Sequence, residues 1–288
     1  MFELVGNSGV FAALAGLLGL IVGSFLNVVI LRLPARLMHS WREQSRDLLD
    51  LPAQPERSAP PGIVWESSHC PQCKHRLGVL ENIPLLSWIA LRGRCKHCGA
   101  PISIQYPMIE LLTGVASAAI AWKLGLDWQA CAGLVLTWIL IALAGIDVRM
   151  QLLPDQLTLP LLWLGLLLAL VPLFVDGRDA IIGAAIGYLS LWSVYWLFKL
   201  LTGKEGMGYG DFKLLAALGA WMGPGALLPI VLLSSLLGAV IGGAFLMLRG
   251  HDRATPIPFG PFIAIAGWAW FIGGERLIAA YHQLLGLA

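Results

Sequence analysis

Runs of about 20 apolar residues without a charge recur along this chain, the length a helix needs to cross about 30 Å of hydrocarbon. Val10–Leu31 is the first, and Ile104–Trp122 the second, interrupted only by Glu110. Trp128–Ile146, Leu157–Val175 and Ala180–Phe198 follow, each uncharged. Leu214–Leu248 is uncharged for 35 residues, too long for one span, and its Met222-Gly223-Pro224-Gly225 turn signal divides it in two. A last run covers Ile257–Gly274. The pattern predicts an all-α polytopic membrane protein with about eight transmembrane helices. Composition agrees: 12% of residues are charged and mean hydropathy is +0.76, against about 25% charged in soluble domains. The net charge of +2 is too small to suggest a nucleic-acid partner.

Charge placement gives the topology. Glu3 is the only charge before the first run, and Arg32 follows it, which reads as a retained span with the N-terminus outside rather than a cleaved signal. With eight spans, one face receives 16 of the 19 basic residues, including Arg149, Lys199, Lys204, Lys213, Arg249 and Arg253 in its short loops. The other face holds only Lys123, Arg178 and Arg276. By the positive-inside rule the basic face is cytoplasmic. Three parts are expected: a first span over 1–32, a cytoplasmic loop over 33–103, and a membrane domain over 104–288.

The loop opens with a stretch rich in Arg, Pro, Ser and Gln, in which Arg36–Leu49 reads either as an amphipathic helix on the membrane surface or as a solvated linker. Beyond it lie Cys70-Pro71-Gln72-Cys73 and Cys95-Lys96-His97-Cys98. Each pair offers two thiolates on a tight turn, and four soft ligands complete a tetrahedral zinc site. Disulfides would compete for the same cysteines, but they rarely persist in the reducing cytoplasm. Four cysteines make the site closed, hence structural. His69, His75 and His97 read as surface residues, and Cys131 as core packing.

Ionisable groups at the ends of apolar spans are costly and therefore candidates for function. Asp147 ends the third span and Asp211 opens the sixth, both on the cytoplasmic face. Two carboxylates brought together share a proton, so one activates water while the other polarises a carbonyl, which is the requirement of aspartic proteolysis. Gly206, Gly208 and Gly210 are expected to supply positive φ angles and room for a substrate strand. The bland readings are a span-ending charge for Asp147 and a helix cap for Asp211. Asp155 fits capping best, and Glu110 a hydrogen bond within the bundle.

These residues resemble the type IV prepilin peptidases, bifunctional leader peptidase and N-methyltransferase enzymes of the bacterial inner membrane. Gly23-Ser24-Phe25-Leu26-Asn27 with Arg32 and Pro34 resembles the family's first-span signature. The cysteine pairs, Asn82-Ile83-Pro84, Leu91-Arg92-Gly93-Arg94-Cys95, Tyr106-Pro107 and Glu110 follow its pattern. So do Asp147 with Leu153-Pro154-Asp155, Gly208-Tyr209-Gly210-Asp211-Phe212-Lys213, and Pro258-Phe259-Gly260-Pro261. The resemblance implies catalysis by Asp147 and Asp211, with Gly208 and Gly210 in the active-site loop. It also implies prepilin and pseudopilin substrates cut after a glycine, methylation from S-adenosylmethionine, and pilus or type II secretion components as possible partners. No Rossmann fingerprint is present, so Arg92, Gly93, Arg94 and Glu110 are the residues to examine for the methyl donor. The Arg residues have a competing reading as attractors of anionic lipid. Two other classes remain open: a proton- or cation-coupled transporter, and a membrane scaffold whose zinc loop binds a partner.

Overall fold

Each apolar run nucleates a helix in the computed structural model, which describes residues 8–51, 59–244 and 258–284. Glu3, Arg249, Arg253 and the start of the last run at Ile257 lie outside the described residues, as does the side chain of Arg276. The helices are α1 (Ser8–Leu48), the short α2 (Leu86–Ala90), α3 (Gln105–Leu124), α4 (Trp128–Met150), α5 (Asp155–Leu168), α6 (Gly177–Thr202), α7 (Tyr209–Met222), α8 (Leu227–Leu237) and α9 (Gly260–Leu284). Among the described residues there are no strands, only two isolated bridges.

Five helical segments are long and apolar enough to cross a membrane: α1, α3, α4, α6 and the stretch Pro224–Gly242 around α8. This is a multi-pass membrane protein. Of the other three expected spans, α5 and α7 form shorter helices, and the last falls in α9, whose described apolar part is Gly260–Gly274. α5 stops at Leu168, not Val175, because Pro172 lacks the N–H a further turn requires and disfavours helix at the residue before it. α7 has 14 residues, about 21 Å at 1.5 Å per residue. Apart from Lys213 it is buried from Asp211 through Trp221, so neighbouring helices rather than lipid enclose it. The Gly223-Pro224 turn separates α7 from α8 as the sequence predicts.

The chain forms two compact units, residues 1–142 and 143–288. In the first, α1 packs along α3. A Cβ at Gly19 would lie 2.7 Å from the Thr113 carbonyl oxygen, and one at Gly23 2.7 Å from Glu110 Cα. Small residues let the backbones approach this closely, the usual means of helix association in lipid. Asn27 Nδ2 donates to the carbonyls of Gly23 (3.2 Å) and Tyr106 (3.1 Å), tying the seam together. α1 runs unbroken through Arg36–Leu48, so that stretch is no separate surface helix. Arg32 donates to the Gly62 and Glu66 carbonyls and Arg36 to Pro60. These contacts lay the start of the loop along the helix.

In the second unit α7 is the central element, packed against α5, α6 and α9. Its closest neighbour is α6: a Cβ at Gly183 would collide with the Gly219 carbonyl, and one at Gly187 would come within 2.7 Å of the Leu215 carbonyl. Asp176 caps α6 by accepting the Asp179 N–H (2.8 Å), and Gly203 ends it in the left-handed region at φ 71°. Trp221 donates from Nε1 to the Leu161 carbonyl (2.8 Å), anchoring α7 to α5. Tyr195 on α6 meets Tyr209 and Phe212 on α7, with ring centroids 5.3 and 5.7 Å apart. Those rings fix the first turn of α7, where Asp211 sits.

Candidate active site and metal site

Asp147 lies in the last turn of α4 and Asp211 in the first turn of α7, both in the second unit. Their residues are only 5% and 7% exposed, and their carboxylates are close enough for the charges to interact. A glycine N–H holds each one. Gly260, first residue of α9, donates to Asp147 Oδ2 at 3.0 Å. The N–H of Gly208, which caps α7, donates to the Asp211 carboxylate, as an acidic residue three positions into a helix does in a capping box. Two helix N-termini, each favouring negative charge, therefore face the two carboxylates. Leu153 closes the arrangement: its side chain lies against both Gly210 and Gly260.

The glycines act differently from the sequence expectation. None of Gly206, Gly208 and Gly210 has a positive φ, whereas Gly203 beside them does. What constrains Gly210 is packing, since a Cβ there would sit 2.7 Å from Leu153 Cβ. At Gly208 a Cβ would stand 4.0 Å from Asp211 Oδ2, so the missing side chain leaves the space over that carboxylate open. Asp155 is not a cap either. Pro154 occupies the cap position of α5 without a side-chain hydrogen bond, while Lys213 Nζ donates to both Asp155 oxygens, at 2.6 and 2.8 Å. The ion pair links the starts of α5 and α7 and leaves Asp155 outside the carboxylate pair.

Sequence reasoning gave Gly260 and Leu153 no role. Both stand in motifs noted above, but nothing in an isolated Phe-Gly-Pro indicates that its N–H will meet an aspartate 113 positions earlier.

In the first unit the four cysteines converge, all unpaired by disulfides. Two copies of one turn build the site. Cys70 donates its N–H to His75 O (2.9 Å) and Cys95 its N–H to Ala100 O (2.8 Å). The residue after each second cysteine, Lys74 or Gly99, turns the chain at φ 57° or 71°. Cys70 and Cys98 Sγ are 3.8 Å apart, and Cys73 and Cys95 Sγ 3.9 Å. Sulfurs bonded at about 2.3 Å to a tetrahedral ion lie about 3.8 Å apart, so the four fit a metal with little movement. Backbone N–H groups of Cys73 and Gln72 hold the Cys70 thiol down at about 6. Cys73 accepts the His75 N–H, yet desolvation and the neighbouring sulfurs outweigh that and push it up to about 11.

The remaining candidates frame the short helix α2. Glu110, buried in α3, accepts the N–H of Leu85 at 2.8 Å just before α2, as well as a bond from Ser24. Leu85 itself is held at φ 60°. Gly93 follows α2, where a Cβ would meet the Trp88 indole at 2.8 Å. Arg92 and Gly93 are both in the left-handed region, at φ 51° and 66°, and Arg94 bridges to Pro101. One further residue has an unmet requirement: Asn27, 1% exposed, has a buried Oδ1 without a hydrogen-bond donor.

Comparison with known proteins covers both units. The family model for the bacterial peptidase A24 N-terminal domain matches residues 17–124, and that for the type IV leader peptidase family matches residues 134–243. A Xanthomonas campestris protein named prepilin leader peptidase/N-methyltransferase is 56% identical over 277 residues, 96% of each chain. Proteins of the same name from Stutzerimonas stutzeri and Pseudomonas aeruginosa are each 53% identical, covering 99% and 94% of this chain and 98% and 93% of their own. No solved structure matches the chain. On these matches, the chain belongs to the type IV leader peptidase family.

Proposed function

We propose that the chain is a prepilin leader peptidase and N-methyltransferase of the bacterial inner membrane. It cuts the short basic leader from prepilins and pseudopilins after a glycine and methylates the amine so exposed. The observation that carries this reading is the pair of buried carboxylates, Asp147 and Asp211, each oriented by a glycine N–H. One acts as base on a water molecule while the other, protonated, polarises the scissile carbonyl. Gly208 leaves the approach to Asp211 open for an extended substrate. The concentration of basic residues on one set of loops supports a cytoplasmic active site. That is the side where the leader of such a substrate leaves the membrane and where components of pilus or type II secretion assembly would meet the product.

Zinc suits the four-cysteine site, where it supplies structure by joining the two turns. For methylation, S-adenosylmethionine supplies an activated methyl group when bound. Glu110 and the unpartnered Asn27 oxygen are acceptors suited to an ammonium group, and Arg92 and Arg94 are donors suited to a carboxylate. Gly93, pressed on Trp88, fixes the turn carrying the two arginines.

Mass spectrometry of a prepilin incubated with enzyme in membranes reads leader loss and methyl gain separately. Asp147→Asn and Asp211→Asn are each expected to remain folded and lose cleavage by at least about 10³-fold. Normal cleavage by either folded variant would reject the dyad.

A further inference from the structure

A second cluster of metal-ligating side chains lies beside the cysteines and is not part of their site. His75, Glu81 and His97 each present a ligand atom, and these atoms lie within 4.8 Å of one another. The imidazoles face each other with centroids 3.4 Å apart and planes tilted by 33°. His75 Nε2 is 3.9 Å from Glu81 Oε2, and His97 Nε2 is 3.7 Å from Oε1. Those separations are too long for hydrogen bonds, so three strong polar groups converge without bonding one another directly. Ligands on a shared tetrahedral ion with bonds of about 2.0–2.1 Å lie roughly 3.3 Å apart. The ligand atoms span up to 4.8 Å, so binding needs shifts of up to about 1.5 Å and a rotation of the stacked rings until their nitrogens converge.

The surroundings orient the carboxylate. The Gly78 N–H donates to Glu81 Oε2 at 2.9 Å, the kind of outer bond that orients a ligating carboxylate. His75 stands two residues beyond Cys73, and His97 lies between Cys95 and Cys98, so the two cysteine turns carry one imidazole each. We propose that His75, Glu81 and His97 form a second site for a divalent transition-metal ion such as zinc, separate from the four-cysteine site. Three protein ligands leave a coordination position to water. The histidine side chains are 40% and 45% exposed, so the ion exchanges readily with solution. Its binding ties both turns to the 3-10 turn Leu80–Asn82. That segment continues to Leu85, whose N–H rests on Glu110, so the ion joins the cysteine loop to the seam between α1 and α3.

Metal stoichiometry of the full chain in detergent tests this at fixed pH. Equilibrated with excess zinc, the wild type is expected to hold about two ions per chain. Glu81→Gln, distant in sequence from every cysteine, is expected to bind the second at least tenfold more weakly. In that variant the thiolate–cobalt absorption of the cobalt-substituted four-cysteine site should be unchanged. His75→Ala combined with His97→Ala is expected to hold about one. A wild type saturating at one ion overturns the site, and so does a second ion bound with unchanged affinity by Glu81→Gln. The count does not depend on peptidase activity, so this proposal and the preceding one fail separately.

Discussion

Gly260 controls Asp147 in two ways: its N–H grips one carboxylate oxygen at 3.0 Å, and its lack of a side chain makes room for that oxygen. An ideal Cβ at this position would lie 2.7 Å from the same oxygen and 3.1 Å from both Leu153 methyls. Gly260→Ala therefore displaces the carboxylate by some tenths of an ångström without removing an ionisable group. Misplacement of a reacting group by about 1 Å costs on the order of 10²-fold in rate, so a shift of tenths of an ångström costs up to about tenfold. Cleavage of a prepilin in membranes is expected to fall by that smaller factor while circular dichroism is unchanged. An unaltered rate would show that the Gly260 contact does not position Asp147 for cleavage. Gly208→Ala separates the effects, because it adds bulk near Asp211 at 4.0 Å without a collision. A raised KM is the expected signature there.

At the scale of elements, the site depends on how closely α6 and α7 approach. The Gly183 and Gly219 backbones are in direct contact, and Gly187 seats against Leu215 and Ala216. Gly183→Leu forces the helices apart and is expected to cost about 3 kcal/mol as an overpacked interface, visible as a lower thermal midpoint in detergent. An unchanged midpoint would show that the two helices do not depend on this contact. The Lys213–Asp155 ion pair joins α7 to α5 instead and is half exposed at the aspartate. Exposed pairs contribute at most about 1 kcal/mol, so Asp155→Asn is expected to lower stability much less than Gly183→Leu does. Helix existence was legible in the sequence because the apolar runs are long. Their lengths were not, since the Pro172 stop and the enclosed position of α7 depend on where each run sits among its neighbours.

At the scale of the molecule, the division into two compact units implies that damage to one need not spread to the other. Chelation strong enough to strip the cysteines is expected to open residues 68–100 to protease while 143–244 stays protected, as mass mapping of the fragments would show. Equal loss of protection in both would mean that the loop metal supports the whole fold. The sequence alone determined the membrane class and the positions of the helices, and it singled out the four cysteines that converge and the two buried aspartates, because charge, hydropathy and C-x2-C spacing are local properties of a chain. Tertiary structure decided which N–H meets which carboxylate, that Gly210 is required for contact rather than for a positive φ, and that Asp155 pairs with Lys213 instead of capping its helix. Those outcomes join residues 58 to 113 positions apart or depend on the space beside a backbone. Only the packed chain fixes such distances.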